Sequence, residues 1–171
     1  MAGIEAWERC NISFYGPGGK RLSESSPVFE VLLIEDNDAD VHLTRLALES
    51  GSHPSHLTVC KDGTEALALL RGENKSPETA RPHLILLNWN LPNLSGDQVL
   101  SLIREDSALN SIPVVVFTSS ESEVDVNHAY QLGANCFVTK SMDLKQFFGV
   151  IRGVRDFWAS SAGTAPKQSS H

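Results

Sequence analysis

Glu35-Asp36, Asn88, Thr118 and Lys140 each stand at or just beyond the end of an apolar run, namely Val31-Leu32-Leu33-Ile34, Leu84-Ile85-Leu86-Leu87, Val114-Val115-Val116-Phe117 and Cys136-Phe137-Val138. Two acids, a hydroxyl and an ammonium brought together could hold a divalent cation and stabilise a transferred phosphoryl group. Mg²⁺ takes oxygen ligands, keeps several waters and uses only one or two carboxylates. Asp36, an oxygen of residue 88 and the backbone carbonyl of Asn90 could supply the protein's share of such a site. Taken singly, the acids read equally as solvated loop charges or as helix N-terminal charges, Thr118 as a strand-end hydroxyl and Lys140 as an exposed lysine. Their joint occurrence in this order favours the chemical reading. The centre, however, is an amide: the nitrogen of Asn88 is delocalised into its carbonyl and the oxygen is a weak, neutral nucleophile. An acyl phosphate is not expected to form on it.

These residues need a scaffold that delivers strand ends to one place. From Val28 onward, short apolar runs alternate about five times with segments of helical period. The pattern predicts strands at 31–34, 56–60, 84–87, 114–117 and 136–138, joined by helices at 39–50, from 62 to 70, from 95 through Ile103, from 120 to 132 and from 143 to 158. Asp62-Gly-Thr-Glu65, Ser95-Gly-Asp-Gln98 and Ser120-Glu-Ser-Glu123 have the spacing of capping boxes, and Gly51 has the place of a helix C-cap. Continuous rather than alternating apolar strands imply a sheet covered on both faces. Strands joined by helices imply parallel pairing. The expected fold is a doubly wound five-stranded parallel sheet with five helices, whose ligands sit beyond the carboxyl ends of the strands where strand order reverses.

Composition narrows the classes. A chain of 171 residues, 41% hydrophobic and 20% charged, fits one domain with tails. No window approaches the roughly 20 apolar residues of a spanning helix, and the N-terminus lacks a secretory pattern, so a cytoplasmic protein without membrane contact is expected. A net charge of -7 and no stripe of Lys or Arg argue against nucleic acid as a partner. Cys10, Cys60 and Cys136 lack metal-site spacing and read as reduced, mostly buried thiols. Residues 1–27, rich in Gly, Ser and Pro, read as a flexible extension, 28–158 as the folded domain and 159–171 as a flexible tail. Gly19-Lys20 is not a phosphate loop, because Phe14 and Arg21 occupy places that need Gly and Ser or Thr.

On these residues the segment 28–158 resembles the receiver domain of bacterial response regulators, the CheY-like fold that accepts phosphate from a histidine kinase. The resemblance implies that Glu35-Asp36 is the acid pair, Asn88 the phosphoacceptor position, Asn90 the metal-binding carbonyl, Thr118 the switch hydroxyl, Phe137 the rotating switch aromatic and Lys140 the family's lysine. The Leu87-Asn88-Trp89-Asn90-Leu91-Pro92 turn, the long loop before it and the helix ending in Phe157-Trp158 are most similar to stand-alone regulators associated with bacterial phytochromes.

Two departures matter. Asn88 removes the nucleophile and one negative charge, so a Mg²⁺ site of Glu35, Asp36, Asn88 and Asn90 would be weak or absent. Ser141 stands where receivers usually carry proline, so a trans or reorganised turn is expected after Lys140. A single change made to block phosphorylation would account for Asn88 and leave Ser141 unexplained; together they fit a naturally degenerate site. The implied protein is no enzyme but a single-domain signalling molecule that acts by contact, with a sensor histidine kinase, of bacteriophytochrome type, as partner and with itself as a homodimer. Tyr130, Phe157 and Trp158 are the interface candidates, the last two reading equally as intramolecular packing. Two alternatives stay open: a phosphorelay receiver using Asp36 or the hydroxyls of Thr118, Ser119 or Ser120 as acceptor, and an ordinary receiver with a blocked acceptor. A phosphatase-like enzyme is more remote, since Glu35-Asp36-Asn37-Asp38 lacks the Asp-x-Asp relation to its strand and no cap domain is present.

Overall fold

The computed structural model describes residues 28–51, 53–73, 79–140 and 143–162. The expected extension 1–27, the tail from 163 onward and Ser141 lie outside the described residues. Elements alternate as β1 (Phe29–Ile34), α1 (Asp38–Glu49), β2 (Ser55–Cys60), α2 (Gly63–Arg71), β3 (Leu84–Leu87), α3 (Gly96–Glu105), β4 (Val114–Thr118), α4 (Glu123–Gln131), β5 (Cys136–Thr139) and α5 (Leu144–Ala162). The five strands pair in parallel in the order β2-β1-β3-β4-β5.

Strand side chains alternate between two apolar layers, which is why the runs are continuous. Leu32, Ile34, Ile85, Leu87, Val114 and Val116 face a layer that includes Ala66 and Leu70 of α2, Val99 and Ile103 of α3 and Ala129 of α4. Val31, Leu33, Leu84, Leu86, Val115 and Phe117 face the other layer, with Ala47 and Leu48 of α1 and Phe147, Ile151 and Val154 of α5. Each such aliphatic side chain contributes about 1.5–3 kcal/mol by leaving water. The chain runs outward from β1 to β2 and then returns to the other side of β1 with β3. Strand order therefore reverses between β1 and β3, and a crevice opens beyond their carboxyl ends.

Local signals fix most helix starts. Asn37 caps α1 by accepting from the N–H groups of Ala39 and Asp40, and Asp62 caps α2 by accepting from Glu65. At α3 the Ser95 N–H donates to Gln98 Oε1 at 3.1 Å. Three expectations shift. Gly51 is not the C-cap of α1, a place taken by Ser50; a Cβ at residue 51 would collide with the buried guanidinium of Arg155, so the glycine makes room for α5. The box expected at Ser120 does not form: the N-cap of α4 is Ser122, whose side chain makes no capping hydrogen bond, while Ser120 Oγ donates to Asp125 Oδ2 at 2.6 Å. The last helix continues past Trp158 through Ala162, its serines at 160 and 161 donating to carbonyls one turn back. Cys60 is a buried free thiol as expected, whereas Cys136 is disulfide-bonded and Cys10 lies outside the described residues.

Candidate functional site

Three strand ends supply the core of the site. Asn88 follows β3 and is hung from β1 by its N–H, which donates to Ile34 O at 3.0 Å; Glu35 follows β1 and donates to Cys60 O at 3.0 Å. The parallel register Ile34 with Leu87 therefore puts residues 35 and 88 side by side. Lys140 leaves β5 with its N–H on Thr118 O at 2.7 Å, which ties the lysine to the end of β4.

The Asn88 side chain is 7% exposed and lies at the centre. Its Nδ2 donates toward Glu35 Oε1 at 3.0 Å, Asp36 Oδ1 at 3.3 Å and Asn90 O at 3.2 Å, so two hydrogens are shared among three oxygens. Its Oδ1 accepts the Asn90 N–H at 3.4 Å. The Thr118 hydroxyl, fully buried, is reached by Asn90 Nδ2 at 3.5 Å.

Glu35 is the most enclosed acid among the described residues, at 1% exposure. Lys140 Nζ donates to its Oε2 at 2.5 Å and to Asp40 Oδ2 at 2.8 Å, while the Asn37 N–H donates to its Oε1 at 3.1 Å. Burial nonetheless raises the Glu35 carboxyl above its usual range, outweighing the opposing pull of Lys140. Asp36, by contrast, is exposed.

The expected residues thus divide. Glu35, Asp36, Asn88 and Asn90 meet, Thr118 joins them through Asn90, and Lys140 joins them through Glu35. Phe137 lies outside this cluster, buried on the α2–α3–α4 side with its ring 6.5 Å from that of Trp89 in an edge contact. Its N–H donates to the Tyr130 hydroxyl at 3.1 Å, and the Tyr130 ring packs against the same core, which gives this interface candidate an intramolecular role. Phe157 and Trp158 are half-buried rather than exposed, in edge contact with each other at 4.8 Å, with Trp158 packed on the α1–α5 core. The neighbouring Asp156 pairs with His53, just before β2, so both aromatics lie at the sheet end opposite the site.

Sequence reading missed Asp40 and Trp89. Asp40 was legible as an acid in the first turn of a helix that follows directly on the acid pair. Trp89 is buried beside Asn88, with edge contacts to His128 at 5.9 Å and to Phe137. A large aromatic one residue past a buried strand was its signal.

A divalent cation can be tested against these atoms. Its candidate oxygens, Glu35 Oε1, Asp36 Oδ1 and Asn90 O, all accept from the Asn88 NH₂, and Asn88 Oδ1 is itself occupied by a backbone N–H. No group of three or more His, Cys, Asp or Glu suited to a metal occurs among the described residues. As arranged, these carboxylate and carbonyl oxygens are engaged by the amide rather than left open toward a cation.

Comparison with known proteins agrees with the fold. A family model described as response regulator receiver domain matches residues 31–152. Response regulator Rcp1 of Synechocystis sp. is 40% identical over 135 residues, covering 79% of this chain and 92% of that protein. A crystal structure of the Mn²⁺-bound form of response regulator Rcp1 superposes with a TM-score of 0.72 at 38% identity, over 81% of this chain and 97% of that one. The phosphorylated cyanobacterial phytochrome response regulator RcpA gives 0.74 at 41% identity, over 79% and 96%. The bacteriophytochrome response regulator AtBRR gives 0.62 at 38% identity, over 75% and 95%.

Proposed function

This chain belongs to the response regulator receiver domain family, and from that premise we propose that it is a two-component signalling protein uncoupled from phosphorylation at residue 88. Its kinship with phytochrome response regulators supports a sensor histidine kinase, of bacteriophytochrome type, as its partner in the cytoplasm. Its output runs through protein contacts, including self-association, rather than through catalysis, membrane insertion or nucleic-acid binding.

One observation carries this reading. The atom facing the acid pair is an amide nitrogen already donating to Glu35, Asp36 and Asn90 O, so the position holds neither a nucleophilic oxygen nor the charge that phosphoryl transfer needs. The rest of the site keeps its form: Lys140 still bridges Glu35 and Asp40, and Thr118 still lies beside Asn90. Cation affinity is correspondingly lower than in a receiver with an acid at this position, since one charge of the site has been removed. The contact surface is assigned to the face of α4, β5 and α5, where Val124 is 75% and Leu144 51% exposed.

Acetyl phosphate labelling tests the reading. Wild-type protein is expected to take up no phosphate on any residue, and Asn88→Asp to become labelled at residue 88. Labelling of the wild type on Asp36, Thr118, Ser119 or Ser120 would replace this reading by an alternative phosphorelay. An unlabelled Asn88→Asp would place the defect in the turn after Lys140 instead.

A further inference from the structure

We propose that the Asn88 side-chain NH₂ is a built-in substitute for the divalent cation, holding together the oxygens a metal would otherwise gather. The proposal deepens the uncoupled reading of the same site and rests on it. Three oxygens from two loops, Glu35 Oε1, Asp36 Oδ1 and Asn90 O, converge on a single nitrogen at 3.0, 3.3 and 3.2 Å. Such convergence of carboxylate and carbonyl oxygens on one point is what a hard cation imposes. Here the partial positive charge of two N–H hydrogens takes that position, and it comes attached to the chain.

The remaining partners complete the substitution. Glu35 Oε2 is neutralised by Lys140 Nζ at 2.5 Å, and Asn88 Oδ1 is turned toward the Asn90 N–H at 3.4 Å. No buried side-chain nitrogen or oxygen among the described residues lacks a hydrogen-bond partner. A cation could enter only if the carboxamide turned over, presenting Oδ1 and giving up all three donor contacts. It would then find Asp36 as the only carboxylate of the pair not already matched by Lys140.

This account makes a prediction opposite to that of simple ligand loss. Asn88→Ala deletes an oxygen ligand, so ligand loss predicts weaker cation binding than in the wild type. Under the substitution account the same change removes the competing donor and frees three oxygens, so binding becomes tighter. Asn88→Asp removes the donor and restores a charge, so it binds tightest.

The three proteins are titrated with Mn²⁺, free ion being read by electron paramagnetic resonance, and their thermal melts are compared in EDTA and in millimolar Mg²⁺. The expected order of affinity is Asn88→Asp, then Asn88→Ala, then wild type, with about tenfold or more between the first and last. Wild type should melt at the same temperature in EDTA and in Mg²⁺, whereas Asn88→Asp should melt lower in EDTA and recover with Mg²⁺. Wild type that binds Mn²⁺ as tightly as Asn88→Ala, or gains thermal stability from Mg²⁺ as Asn88→Asp does, would overturn the proposal. If Asn88→Ala does not fold, the melts of wild type and Asn88→Asp decide it. Phosphate found on another residue of the wild type would sink the uncoupled reading yet leave this affinity order standing, so the two failures are distinguishable.

Discussion

Glu35 remains in a nearly waterless position because Lys140 and the N–H donors of Asn37 and Asn88 surround it. Deleting the ammonium with Lys140→Met should therefore cost about 2–4 kcal/mol near neutral pH, measured by urea denaturation, because Glu35 and Asp40 are left facing each other. The sign of the pH effect follows from the raised Glu35 carboxyl. A group whose folded-state pKa is raised stabilises below its unfolded value, here near 4.5, and that stability is lost as pH rises through the folded value. Removing Lys140 raises it further, so the deficit should shrink toward the acid end; an equal deficit at acid and neutral pH would contradict this. Cys60 gives an alkaline counterpart. Burial, with smaller help from Glu65 and Asp62, pushes its thiol up from 9.0 to about 12. Stability should fall as pH rises between those values, by at most about 1.4 kcal/mol per pH unit from this group, and Cys60→Ala should remove that component of the slope.

Packing between neighbouring elements sets the position of Asn88 more than the residue itself does. The first turn of α3 closes on the end of β3 so tightly that a Cβ at Gly96 would lie 2.7 Å from Asn88 O and from Trp89 Cα. The Gly96 N–H uses this approach to donate to Trp89 O at 3.0 Å. Gly96→Ala should thus cost about 1–3 kcal/mol in chemical denaturation and shift the tryptophan fluorescence contributed by Trp89, since neither backbone atom can yield without moving the site. On the opposite layer, Arg155 of α5 donates to Leu48 O at 2.9 Å and pairs with Asp156, joining the end of α1 to α5. That contact explains a glycine at 51 that makes no left-handed turn.

The whole molecule keeps the architecture of a receiver domain around an amide at residue 88. Trp89 bridges the site and α4 through its contacts with Phe137 and His128, and the Tyr130 hydroxyl holds the Phe137 backbone, so the surface of α4 and β5 remains mechanically joined to residue 88. If residue 88 takes no phosphate, as proposed above, the joined elements receive no covalent signal there. Sedimentation velocity should accordingly give the same distribution of monomer and dimer for the wild type with and without acetyl phosphate. Asn88→Asp should become responsive. A shift in the wild type on adding the phosphodonor would contradict a contact-only output. No helix among the described residues is long and apolar enough to cross a membrane.

The alternation of apolar runs and helical segments, the helix caps at Asp62 and Ser95 and the strand-end positions of Glu35, Asp36, Asn88, Thr118 and Lys140 were legible in the sequence, because hydrophobic period and capping act over a few residues. The neutral centre was legible too, since an amide is an amide wherever it folds. Only the tertiary structure decided what each polar atom faces. Lys140 reaches Asp40 across 100 residues and Glu35 across 105, and no local pattern distinguishes those partners from solvent. The direction of the Asn88 carboxamide, the inward Phe137, the half-burial of Phe157 and Trp158 and the clearance at Gly51 and Gly96 are likewise set by surfaces that meet only when the sheet has formed and the helices have docked on it.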